Sequence, residues 1–269
     1  MRKLGMCVPM ANGGDIFDKM SVIKGTGFDT CFFSWYPETD FSAIKHHADS
    51  IGLEIETIHA PFGKANSMWD ESTNEGDYFT EELKKSIRAA GNNGIPYVII
   101  HVCMGNDAPI SSRIGLARFE KLVVEAEKYG VKLAFENLEF PRLTALILDY
   151  FKCDTVGFCY DTGHENCFTP GYKFLPMFGD RLFCTHIHDN LSTRIGEPYY
   201  RNDLHKIPFD GIIDFESICK DIKKTGYTGS LMLEVCYGGP NHYGDISFKE
   251  FVEKSYASAI RLRKLTDGE

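Results

Sequence analysis

Eight short apolar runs alternate with helix-patterned segments along this 269-residue chain, and that alternation leaves few folds open. The runs read as strands are Lys3–Val8, Phe28–Phe33, Leu53–Ile58, Tyr97–Ile100, Val131–Phe135, the run opening at Gly157, Leu182–Thr185 and Ser230–Leu233. Between them fall helices, from Gly13-Gly14 to about Lys24, over Phe41–Ile51, and to about Asn92, where Asn93-Gly94 reads as a C-cap. Others run from Ser111 or Ser112 to Tyr129, from Pro141 to about Phe151, from Asp214 to about Lys224, and from about Ser247 to Leu265. Strands separated by helices pair in parallel, because the helix carries the chain back to the starting end of the sheet. About eight such units predict a closed (β/α)₈ TIM barrel, for which roughly 250 residues are typical. An open doubly wound sheet is the alternative. It would call for a Gly-rich phosphate loop after the first strand, and there is none. No linker or low-complexity tract divides the chain, so a single barrel domain is expected over residues 1–269.

Composition narrows the partners. With 43% hydrophobic and 25% charged residues the chain can bury a large core. Its formal net charge of -9 argues against a protein that grips nucleic acid through phosphates. The cysteines, at positions 7, 31, 103, 153, 159, 167, 184, 219 and 236, are odd in number and lack C-x-x-C spacing. Most lie in apolar runs, which reads as reduced, buried thiols in a cytoplasmic protein. The apolar stretch after Arg2 and Lys3 is broken by Pro9 and by Asn12 to Gly14, too early for a signal peptide, and no run is long enough to cross a membrane.

The chemistry sits where the strands stop. His59, His101, Glu136, Asp161, His186 and Glu234 each stand at the C-terminal end of an expected strand, with His164 and the Asp203-x-His205 pair in the loops just beyond. In a barrel all these ends open onto one face, which holds the active site. A lone His or Asp after a strand is ordinary loop chemistry, and Asp161-Thr-Gly-His could be no more than a turn in which Gly163 lets the backbone swing round. Six successive strands ending in metal-capable residues is not something packing requires. Mixed carboxylates and imidazoles suit Mn, Zn, Co or Fe. His188 and Asp189 are candidates for orienting His186. His46 and His47 lie mid-helix and are expected to face solvent, and His242 sits in the last βα loop.

The segments His59-Ala-Pro-Phe, Glu136-Asn, Asp161-Thr-Gly-His164, His186-Ile-His-Asp-Asn, Asp203-x-His205 with Gly211-x-Ile-Asp-Phe, and Glu234 resemble the xylose isomerase-like TIM-barrel superfamily, over nearly the whole chain and in family order. That superfamily includes sugar (phosphate) isomerases, ketose 3-epimerases, inosose dehydratases, hydroxypyruvate isomerases and a branch of apurinic-site endonucleases. The resemblance implies that Glu136, Asp161, His186 and Glu234 are the four ligands of one divalent metal, the two glutamates also exchanging protons with the sugar. It implies that His164 contacts substrate. His59, His101, His164, Asp203 and His205 match the further ligands with which the endonuclease branch holds three zinc ions, so one to three metals are implied.

The expected chemistry is proton transfer through an enediolate, with a metal acting as Lewis acid and carboxylates moving the proton. A small sugar or polyol is the expected substrate, with Trp35, Phe62 and Arg194 as contacts beside the aromatic residues Trp69 and Tyr237. The alternatives are a zinc-dependent apurinic-site endonuclease and an inosose dehydratase-like lyase. The ketose 3-epimerases follow the metal-binding His with an acidic residue and an Arg that grips substrate. Here that stretch is Asp189-Asn190-Leu191-Ser192, with no Arg before Arg194. Lys64, Arg194, Arg201 and Lys206 are candidates for holding a phosphate. Pairing of helix faces into a homo-oligomer is common for such barrels.

Overall fold

The computed structural model describes residues 1–10, 13–191, 203–238 and 243–268. Eight parallel strands form one sheet in the order β7-β6-β5-β4-β3-β2-β1-β8. They are β1 (Leu4–Cys7), β2 (Thr30–Ser34), β3 (Glu54–His59), β4 (Tyr97–Ile100), β5 (Lys132–Glu136), β6 (Val156–Asp161), β7 (Leu182–His186) and β8 (Leu231–Leu233). The sheet closes on itself at its C-terminal rim. Ile187 bridges Leu233 in parallel, its N–H donating to the Met232 carbonyl at 2.8 Å. The fold is therefore the expected TIM barrel.

The helices are α1 (Ile16–Thr26), α2 (Phe41–Ile51), α3 (Glu75–Asn92), α4 (Arg113–Tyr129), α5 (Pro141–Tyr150), α6 (Thr162–Phe168), α7 (Leu175–Phe178), α8 (Phe215–Lys224) and α9 (Phe248–Asp267). Their ends follow local chemistry. Ser112 caps α4, Asp214 caps α8, and Ser247 with Glu250 forms a reciprocal capping box on α9. Pro141 opens α5 with the φ a first helical residue needs. Two expectations shift. Asp15, not the Gly13-Gly14 pair, caps α1. And Asp161-Thr-Gly-His is not a bare turn: Asp161 caps α6, its Oδ1 accepting from the His164 N–H at 2.6 Å.

Most of the core lies in one continuous cluster that includes Phe28, Phe33, Phe119, Phe158 and Phe251, all fully buried. A second, smaller cluster holds Ile99, Ala134, Cys159 and Cys184. Each of these stands two residues before a candidate site residue: His101, Glu136, Asp161 and His186. Side chains two apart on a strand share a face. The small apolar layer is thus the floor one pleat below the site, and Ala and Cys keep it narrow enough to fill the barrel axis. All nine cysteines are free, and six are buried.

Candidate metal and active centre

The strand ends deliver their residues as the barrel geometry requires. His59, Glu136, Asp161 and His186 are the last residues of β3, β5, β6 and β7, while His101 and Glu234 directly follow β4 and β8. Among the described residues, three donor groups lie at this rim, each with ligand atoms within 4.8 Å of one another: Glu136, Asp161, His186 and Glu234; His59, Glu136 and His186; and His164, His188, Asp203 and His205. Donors around one ion with bonds of about 2.1 Å sit about 3 to 4 Å apart, so small side-chain movements would close the first group on a cation.

The contacts are those of a site built for positive charge. Glu136 is fully buried, with Oε1 2.6 Å from His186 Nδ1 and Oε2 2.6 Å from His101 Nε2 and 3.5 Å from His59 Nε2. Burial alone would raise its pKa, but His186, His101 and His59 together hold it well below the usual carboxylate range. His186 also approaches Glu234 Oε2 at 3.2 Å, and its Nε2 is buried without a hydrogen-bond partner. Burial would lower its pKa, yet Glu234 and Glu136 raise it well above the ordinary histidine value. Glu234 is lowered in turn, burial being outweighed by His186 and His205. Two ionised carboxylates around His186 Nδ1, with Asp161 in the same group, are a donor set that a divalent cation would satisfy, so the residues fit the group.

The second set is held as tightly. His164 Nε2 lies 3.4 Å and His205 Nε2 3.1 Å from Asp203 Oδ2. His205 adopts a left-handed φ of 45°, a conformation seldom kept by a non-glycine residue except where its surroundings impose it. His205 Nδ1 lies 2.9 Å from the Glu234 carbonyl, which ties this set to the first. His164 and His205 both have raised pKa values: burial would lower them, but Asp161 and Asp203 outweigh it for His164, and Asp203 for His205.

Several expected roles change. His188 does not orient His186. Its Nε2 lies 3.1 Å from Asp161 Oδ1 and 3.2 Å from Oδ2, and its ring stacks on His205 with centroids 3.9 Å apart. Asp189 points away from the centre and accepts from the N–H groups of Phe209, Gly211 and Ile213, holding the loop that carries His205. Gly163 matters for close approach, because a Cβ there would lie 1.8 Å from His188 Cε1. Trp35, expected at the substrate, is instead buried in the core, and Trp69 is buried with Nε1 donating to the Val102 carbonyl. Phe62 does face the rim. It is 40% exposed, packs edge-on to His59 and stacks on His101. His46 is exposed, whereas His47 is half-buried with its ring against Phe17. Arg194, Arg201 and His242 lie outside the described residues.

Two residues not singled out by sequence hold the donors in place. Asn137, fully buried, donates to the Asp161 carbonyl at 2.8 Å and accepts from the Asp161 N–H at 2.7 Å. Asn190 donates to the Gly163 carbonyl and accepts from the Leu204 N–H, joining α6 to the Asp203–His205 segment. Position gave a weak hint, since each lies beside a donor segment. Two cavities meet at Glu234 and His205. One, of about 100 Å³, is walled by Phe62, Met104, Leu138 and Phe168, and the other, of about 390 Å³, by Cys7, Phe32, Tyr36 and Tyr237. A larger open recess of about 900 Å³ lies between the loops after β3 and β4 and holds none of the donors.

A family model described as xylose isomerase-like TIM barrel matches residues 18–257. The chain belongs to the xylose isomerase-like TIM-barrel family. It is 33% identical to the protein y4fM of Sinorhizobium fredii, whose function is uncharacterised, over 91% of this chain and 88% of that one. Among solved structures it is similar to a D-tagatose 3-epimerase-like protein, with TM-score 0.76, 18% identity and coverage of 99% and 98% of the two chains. It is also similar to the IOLI protein carrying a zinc atom, with TM-score 0.79, 16% identity and coverage of 97% and 98%. A fusion of a xylose isomerase-like barrel with a 4-hydroxyphenylpyruvate dioxygenase superposes with TM-score 0.80 at 15% identity, and this chain, matched over 98% of its length, spans 43% of that longer one. At these identities the solved structures speak to the fold. No helix among the described residues is long and apolar enough to cross a membrane.

Proposed function

We propose that the protein is a divalent metal-dependent isomerase or epimerase of a small sugar or polyol. One observation carries the reading: Glu136, Asp161, His186 and Glu234 converge at the barrel mouth with ligand atoms within 4.8 Å of one another. The epimerase-like neighbour and the zinc in the IOLI protein support it. Glu136, Asp161, His186 and Glu234 would hold the ion, which when bound polarises a substrate carbonyl and acidifies the adjacent C–H. Glu136 and Glu234 both line the smaller cavity, so each can hold or release a proton at a carboxylate oxygen facing the substrate. His101 and His59 steady Glu136 Oε2, and His186 steady Oε1.

The test combines metal analysis of the purified protein with a screen of aldoses and ketoses. Glu136→Gln and Glu234→Gln should each lower kcat by about 10²-fold or more, as expected for loss of a proton-transfer group. Full turnover in both variants with metal still bound would contradict the assignment.

A second reading, a zinc phosphodiesterase cutting at abasic sites, is favoured by the two further donor groups. The net charge of -9 opposes it, since such an enzyme must meet a line of phosphates. Cleavage of an abasic duplex by zinc-loaded protein, with no activity on any sugar, would select it.

A further inference from the structure

We propose that Glu139 selects the substrate: its carboxylate accepts a hydrogen bond from a hydroxyl of a neutral, unphosphorylated polyol and turns phosphate esters away. The inference rests on the sugar reading above and names its substrate class.

Glu139 follows Glu136 by three residues and belongs to none of the metal-capable groups, yet it lines the same cavity as Glu136, Glu234 and Asp203. Its position is fixed. Oε1 accepts from the Gly105 N–H at 2.7 Å, and Gly105 has φ 79°, a conformation in which glycine is at ease. Oε2 is left with the Cys103 thiol at 3.8 Å, a weak donor at long range. One carboxylate oxygen is therefore anchored and the other keeps acceptor capacity in a confined cavity. Burial raises the Glu139 pKa above the usual carboxylate range, outweighing the donors that its own backbone N–H and that of Gly105 supply. The neighbouring Phe62, Met104, Leu138 and Phe168 offer none. They offer apolar surface for the C–H face of a sugar, beside Glu139 Oε2 as an acceptor for one of its hydroxyls.

The same electrostatics disfavour a phosphate. A phosphate monoester brings about -1.5 to -2 charges at neutral pH. It would meet the four carboxylates Glu136, Glu139, Asp203 and Glu234 together, against His164 and His205 and one divalent cation, which offset only part of a phosphate added to them. No Lys or Arg among the described residues lines either cavity.

The experiment uses manganese-loaded protein, with turnover and calorimetric binding of D-allulose and L-ribulose compared with D-fructose 6-phosphate. The neutral ketoses should bind at least about tenfold more tightly than the ester. Glu139→Gln should raise KM for a neutral ketose about tenfold, the scale of one hydrogen bond to a charged group, with a much smaller change in kcat and unchanged manganese stoichiometry. It should also narrow the gap between ketose and ester. Glu139→Asp, which keeps the charge but draws it back, should fall between. A residue serving only structure would lower kcat, metal content and thermal stability together. Ester binding as tight as ketose binding, or a KM indifferent to Glu139→Gln, overturns the inference and leaves the isomerase reading standing. Failure of all three probes to bind overturns both.

Discussion

Glu56, on β3, shows how much a single buried group can weigh on this barrel. It is 6% exposed, with Oε2 lacking a hydrogen-bond partner, and burial raises its pKa above the usual carboxylate value. The folded state therefore binds a proton that the unfolded state releases more readily. The associated stability is present below the unfolded carboxylate pKa and is lost as pH rises through the folded one. Glu56→Gln should thus be more stable than wild type near neutral pH, by about 1 kcal/mol, and show no advantage below about pH 4. Denaturant unfolding at the two pH values checks this. Gly163 is the opposite case, a residue defined by absence of bulk. Gly163→Ala would set a Cβ against the His188 ring, and overpacking of this kind costs about 1–3 kcal/mol. It should lower Tm and displace His188 from Asp161, which thermal unfolding and a crystal structure of the variant would show. Neither role is legible in sequence. Gly163 reads naturally as a turn residue, and its partner stands 25 positions further along in a separate strand-end motif. Glu139 is silent in sequence for a similar reason, because its value lies in the Gly105 amide and the cavity across the loop.

At the scale of elements, the strands were legible and the short helix after β6 was not. From β3 to β8 each strand ends at, or directly before, a metal-capable residue, so both its extent and its chemically active end are written locally. α6 has seven residues, among them Thr, Gly and Asn, which are poor helix formers. What holds it is the local Asp161 cap together with two tertiary bonds, Asn190 to the Gly163 carbonyl and Thr162 Oγ1 donating to the His188 carbonyl. Asp161 consequently has two jobs, and they separate by substitution. Asn caps a helix about as well as Asp but is a poorer ligand for a divalent ion. Asp161→Asn should keep thermal stability within about 1 kcal/mol in metal-free protein while weakening metal binding about tenfold or more. Asp161→Ala should lose both, and equal metal affinity in wild type and Asp161→Asn would exclude Asp161 as a ligand.

At the scale of the whole molecule, closure gathers donors from six strands into one basin, and neighbouring carboxylates raise the pKa values of His164, His186 and His205 against the effect of burial. His186 carries a raised pKa because Glu234 and Glu136 outweigh the effect of burial, so its proton is retained at neutral pH. A cation must displace it. Metal affinity should therefore climb with pH, by about one log unit per pH unit across the neutral range, with proton release seen as buffer-dependent heat in calorimetry. The metal-free protein should behave inversely. A raised histidine pKa contributes stability that is present below about pH 6.5 and lost as pH rises through the folded value. Sequence made the basin's location readable, because parallel strand ends share a face. It could not say which donors share an ion, since Glu136 and His186 each belong to two of the groups. The most direct measurement is anomalous diffraction from crystals grown with manganese. The account predicts one strong peak ligated by Glu136, Asp161, His186 and Glu234. A fully loaded crystal with its peak elsewhere, or with those four side chains turned from one another, would contradict it.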